Sequence, residues 1–262
     1  MSLDRIKAVL WQEFFITRHS LEVIMDLFVF SLMNITVFGL VSSFLNKTIT
    51  SGSAYYLLLG MLLWEILRVT QYSMSVGGLW NIWSRNLSNM FITPLSLREY
   101  FFAQMLSGFL KAFTVFMLAS LWSRFLFNFD IFSLGVFNLV LFFLNLTIFA
   151  WSFGILILGL IFRFGTRISA IAWGSVFFFQ PLTAAFFPIQ ILPSFLQSFS
   201  YLLPPTYVFE SARMNLINQE VNWSMMGVSF LENVLYFIVA VTIFRFLFRK
   251  SRETGQFARN EG

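Results

Sequence analysis

The chain has 262 residues, 58% of them hydrophobic and 11% charged, with a net charge of +5. Soluble domains run nearer about 45–50% apolar and about 25% charged, so this composition excludes a soluble domain. Cysteine is absent, which excludes a disulfide framework, a thiol nucleophile and a thiolate metal site. Lys and Arg cluster at the ends of apolar runs, so the basic excess reads as membrane orientation, and no nucleic-acid partner is expected.

In chain order, residues 1–22 come first. Apolar residues here are interrupted by Arg5, Lys7, Glu13 and Arg18. Leu3, Ile6, Leu10 and Phe14 share one helical face, which predicts an N-terminal helix lying in the membrane interface. The alternative is an extension of the first span. Asp4, Glu13 and Arg18 argue against a cleavable signal peptide.

Six apolar runs follow, each near the roughly 20 residues a spanning helix needs. They are Val23–Leu45, Ala54–Val76, a stretch within Tyr100–Phe125, Leu134–Phe162, Ile168–Phe187 and Met226–Phe248. Backbone groups in lipid must be satisfied within their own segment, so these are helices. Strands of a barrel would alternate in hydrophobicity, and these runs do not. The expected fold is an all-α integral membrane domain over residues 1–262.

Between the second and third spans lies Gly77–Glu99, with Asn81, Ser84, Arg85, Asn86, Ser88 and Asn89 interleaved with Trp80, Trp83, Leu87 and Met90. This pattern predicts a short amphipathic helix ended at Thr93-Pro94. Ser96 and Glu99 have capping-box spacing for the next helix. Such a helix suits docking of a partner, or lies on the membrane surface. Residues 188–223 hold Pro188, Pro193, Pro204 and Pro205 around apolar pieces too short to cross, which predicts a re-entrant hairpin. Gln180-Pro181 is expected to interrupt the fifth span, and residues 249–262 form a basic tail.

The distribution of Lys and Arg places both termini and the 77–99 loop in the cytoplasm. That side collects Arg85, Arg98, Arg163, Arg167 and the basic residues of both ends. The other receives Lys47, Arg124 and Arg213.

Ionisable residues inside spans are expensive and call for a reason. Glu65 and Arg68 stand three apart, as gate groups or as a self-neutralised packing pair. Lys111 shares a stripe with Gln104, Ser107, Gly108 and Thr114, facing other helices or snorkelling to headgroups. Glu210 and Arg213 form another three-apart pair, in the pathway or solvated on an outer helix. Asn34, Asn138 and Asn145 are candidates for interhelical hydrogen bonds. No GxxxxGK[ST] loop, HExxH or GxSxG occurs and His19 is the only histidine, so neither an ATPase site, a metal site nor a catalytic centre is expected.

Three segments in order resemble one family. They are DRIKAVLWQEFFITRHS before the first span, RNLSNMFITPLSLREYFFAQML around the TPLS turn, and FPIQILPSFLQSFSYLLPPTYVFESAR ending in Glu-x-x-Arg. Together they resemble the membrane subunit of type-2 ATP-binding-cassette (ABC) exporters, the ABC-2 permease superfamily. The resemblance implies a half-transporter in the inner (plasma) membrane that pairs with a second permease copy. Separate ATP-binding cassette subunits, which bind the ATP and Mg, would dock on a coupling helix at Trp80–Met90, with Trp80, Trp83, Arg85, Asn86 and Asn89 as contacts. Glu65, Arg68, Lys111, Glu210 and Arg213 are the pathway or gate candidates. The cargo implied is a lipidic, glycoconjugate or drug-like amphiphile moving outward. Two other readings are an ion-gradient carrier built on Glu65, Arg68 and Lys111, and a lipid-modifying enzyme, for which no cluster of His or carboxylates is present.

Overall fold

The computed structural model describes residues 1–48 and 55–254. The expected start of the second span at Ala54 and the tail beyond 254, with Arg259, lie outside the described residues. All regular structure among the described residues is helical. The longer elements are α1 (Leu3–His19), α2 (Leu21–Lys47, with a π turn at Met25–Val29) and α3 (Tyr55–Trp83). They continue with α4 (Leu87–Ile92), α5 (Leu97–Phe127) and α6 (Val136–Phe164). Then come the short α7 (Ser169–Gly174), α8 (Phe179–Leu182) and α9 (Ser194–Ser200), followed by α10 (Pro204–Asn218) and α11 (Trp223–Glu253).

The bundle is built around α3. It packs against α2, α5, α6, α7 and α10, while α11 lies on the far side of α6. Every residue from Leu58 to Leu79 is buried. A helix hidden on all sides carries polar groups more cheaply than one facing lipid, provided neighbours satisfy them. That is where Glu65, Arg68 and Gln71 sit.

Four segments are long and apolar enough to cross a membrane: Leu21–Lys47, Leu97–Phe127, Val136–Leu182 and Trp223–Glu253. Their outward faces carry the exposed Phe44, Phe125, Phe137 and Leu231, as lipid-facing surfaces do. The two other expected spans take different forms. Ala54–Val76 falls largely within the wrapped α3, which is long but more polar. Ile168–Phe187 is a chain of short pieces, α7, a 3₁₀ turn at Ser175–Phe178, and α8. The chain turns off α6 at Gly165, whose φ of 69° is a conformation that favours glycine. The expected interruption at Gln180-Pro181 lies in the last of these pieces.

Small residues set the helix spacing. Gly154 of α6 packs on Met74 of α3, and Gly159 of α6 packs on Phe244 of α11. Such close approach is how helices associate where lipid removes the hydrophobic drive. Gly77 and Gly78 act likewise. They lie inside α3, against Gln104 and Leu158 respectively, and not in the connection expected to begin at Gly77. The cytoplasmic helix expected over Trp80–Met90 is therefore divided. Trp80 and Trp83 belong to the last turn of α3, and only Leu87–Ile92 forms a separate helix.

α1 also departs from expectation. It buries Ile6, Val9 and Glu13, and leaves Leu3 and Phe14 exposed. A buried ion pair selects the inward face, as described next.

Candidate functional site

One end of α3 meets α1, α4 and the start of α5. The chain turns sharply after Trp83. The Asn86 N–H donates to the Asn81 carbonyl at 2.9 Å, and the Arg85 N–H donates to that of Ile82 at 2.9 Å. Arg85 holds the left-handed conformation, φ 53°. These are the bonds of a Schellman ending, with arginine where glycine is usual. Arg85 and Asn89 are exposed, Asn86 is half-buried, and Trp80 and Trp83 stack edge to face at 5.4 Å. Ile92, at the end of α4, is 82% exposed.

Three ties fix this corner to the bundle. The Arg5 guanidinium donates to the Pro94 carbonyl and pairs with Glu99 at 3.3 Å. The Gln12 amide donates to Asn81 at 2.6 Å. The Ser96–Glu99 capping box forms as its spacing predicts, and Glu99 also accepts the Ser2 N–H at 2.7 Å. A groove of about 430 Å³ runs between α1 and α4, with Asn86 and Asn89 on its wall.

Further along α5, Lys111 does not snorkel. Its ammonium lies 2.8 Å from the Glu13 carboxylate of α1, and the Gln104 amide donates to the other Glu13 oxygen at 2.9 Å. Ser107 and Gly108 are buried with them, while Thr114 is exposed. Glu13 was not a sequence candidate. The signal for it is that Glu13 has no basic residue three or four positions away, while Lys111 stands in an apolar span without a carboxylate.

Toward the other end of α3, Glu65 and Arg68 pair at 2.7 Å, and both are buried. Glu65 also accepts from Ser31 at 2.6 Å and from Asn34 at 3.5 Å. Arg68 donates to Ser31 and, at 3.1 Å, to the Asp26 carbonyl within the π turn of α2. The Asp26 carboxylate accepts from Tyr72 at 3.0 Å. Asn34 thus fulfils its expected interhelical role. So does Asn145, which accepts from Asn233 of α11 at 3.2 Å, whereas Asn138 bonds within its own chain turn to Leu134. Beside the Glu65 cluster lies a cavity of about 400 Å³. Asp26, Asn34, Arg68 and Tyr72 give it polar walls, and Trp173 and Phe177 give it aromatic ones.

Glu210 and Arg213 pair at 2.8 Å with side chains only 8% and 5% exposed, so the pair is not solvated. Glu210 accepts the Ile189 N–H, and Arg213 donates to the Ala185 carbonyl. The pair stitches the irregular 183–191 segment to α10. Thr206 bonds to the Ser200 carbonyl, Ser229 to that of Pro204 and Tyr236 to that of Leu202, which satisfies backbone groups that the proline-rich turns leave free. The same three-apart spacing thus gives two buried pairs, Glu65–Arg68 on α3 and Glu210–Arg213 on α10, and Lys111 belongs to neither.

Among the described residues no group of three or more potential metal ligands occurs. Long apolar helices around a charged, wrapped helix define an integral membrane protein whose polar groups face inward. The family described as ABC-2 type transporter matches residues 4–217, and the chain belongs to it. It is a membrane-embedded ABC permease component, and such components work in general with an ATP-binding cassette partner. Among curated proteins, none matches the chain.

Proposed function

We propose that this chain is the permease subunit of an ABC exporter. In this reading it has six spans, with α3 and the broken 168–187 segment as the second and fifth. Both termini and α4 face the cytoplasm across the inner (plasma) membrane. Two copies, or this chain and a second permease, enclose the pathway. Separate cassette subunits bind ATP and Mg, and this chain hydrolyses nothing.

One observation carries the reading. The corner formed by α4 and the turn before it presents Arg85, Asn89 and Ile92 outward, and the chain on either side of α4 is tied to α1 at Asn81 and at Pro94. A short helix whose flanking chain is fastened to α1 at both ends passes a push from a docked partner into the bundle. The mixed polar and aromatic cavity beside Arg68 supports an amphiphilic cargo, because it offers hydrogen bonds and ring surface together. Glu65 and Glu210 are the positioning partners of Arg68 and Arg213 on that pathway. Lys111 lies apart from both, on α5, and its role is to hold the α1–α5 contact through Glu13.

The test is a triple variant, Arg85→Gly, Asn86→Ser and Asn89→Ala. Glycine suits the left-handed position and serine suits a helix N-cap, so the turn survives while the polar contacts go. The cassette subunit should no longer copurify, with the permease itself still folded. Undiminished copurification would remove the docking assignment.

A further inference from the structure

A second groove, of about 540 Å³, lies on the other side of α1, between it and α5. Lys7, Trp11 and Phe14 line it from α1 at spacings of four and three residues. Leu110 and Lys111 face them from α5, and Phe28 of α2 lines it as well. Trp11, Phe14 and Leu110 are each half or more exposed. That much apolar surface beside membrane-spanning helices is a lipid contact. An apolar wall alone accepts any acyl chain. One of its two lysines makes the groove selective. The Lys111 charge is met by Glu13 at 2.8 Å. Lys7 is exposed and belongs to none of the ion pairs found among the described residues. One uncompensated ammonium therefore stands over an aromatic channel large enough for a small ligand.

We infer that this groove is a binding site for an anionic phospholipid, with an acyl chain along Trp11, Phe14 and Leu110 and the phosphate at Lys7. A basic residue beside an apolar slot at the membrane surface is the chemistry that selects anionic over zwitterionic headgroups. Because α1 also carries the Arg5 and Gln12 ties to the α4 corner, occupancy of the groove holds the same helix that braces the docking corner. The binding site itself rests only on the membrane setting, and not on cassette docking.

The experiment uses the full chain in phosphatidylcholine nanodiscs. Trp11 emission is obtained as the difference between the parent protein and Trp11→Phe. Phosphatidylglycerol with brominated acyl chains should quench it about fivefold more effectively per mole than brominated phosphatidylcholine, the ratio expected from one basic residue at the surface. Lys7→Gln should bring the ratio to about one, and Lys7→Arg should keep it. Equal quenching in the parent, or a preference that survives Lys7→Gln, overturns the site. Inorganic phosphate is added in a separate arm against chloride of equal ionic strength. Loss of the preference in phosphate alone would assign the position to free phosphate and overturn the lipid assignment. No cassette subunit or ATP is present, so this result and the copurification result fail independently.

Discussion

Lys111→Met removes one half of an ion pair in which Glu13 is 2% exposed. The Glu13 carboxylate then keeps a neutral partner, the Gln104 amide at 2.9 Å. Breaking a buried pair from one side typically costs about 3–5 kcal/mol, most of it the uncompensated charge. Adding Glu13→Gln removes that charge and leaves an amide able to bond Gln104. The double variant should therefore lie within about 1 kcal/mol of the parent. The double-mutant cycle should give a coupling energy of about 3 kcal/mol. The loss falls on α1, which this pair holds to α5, so hydrogen exchange of residues 3–19 is the assay. In Lys111→Met their exchange should accelerate by about 100-fold or more, since each 1.4 kcal/mol is a factor of ten. In the double variant most of the protection should return. Penalties that simply add, or unchanged protection in Lys111→Met, would refute the claim that this pair fastens α1.

At the other end, Arg213→Met should lower stability by about 3–5 kcal/mol, because Glu210 is left buried on the Ile189 N–H without its cation. Thermal unfolding in detergent checks this, and Glu210→Gln in the same chain should restore most of the loss. Gly60→Val should be destabilising by about 1–3 kcal/mol, since a Cβ there overlaps the Ala185 carbonyl. Gly174→Ala, whose Cβ meets nothing within 4 Å, serves as the control in the same melt.

What could be read from the sequence was mostly local. The Ser96–Glu99 capping box and the Glu65–Arg68 and Glu210–Arg213 pairs depend on neighbours three apart, a spacing the helix fixes by itself. The long apolar helices were legible for the same reason, from runs of residues that need no tertiary knowledge. The Glu13–Lys111 pair joins residues 98 apart, and only the packing of α1 on α5 brings them together. The inward face of α1 keeps Ile6 and Leu10 of the apolar stripe and adds Val9 and Glu13, while Leu3 and Phe14 of that stripe stay exposed. The span expected to end at Val76 falls short, because α3 runs on through Gly77-Gly78 to Trp83. In the bundle the same glycines make room for Gln104 and Leu158. The solvated alternative for Glu210 and Arg213 failed because proline-rich turns around them fold back as cover. The division of Ile168–Phe187 into short helices begins at Gly165, upstream of the expected interruption at Gln180-Pro181.

The central claim is that this chain moves its cargo only with a separate ATPase attached. The direct measurement reconstitutes the chain in vesicles, with and without the cassette subunit that copurifies with it, and follows a fluorescent amphiphile across the bilayer. Transport should require the cassette subunit and ATP together, and should stop in the Arg85→Gly, Asn86→Ser, Asn89→Ala variant. Transport by the chain alone, driven by an ion gradient without ATPase, would contradict the account.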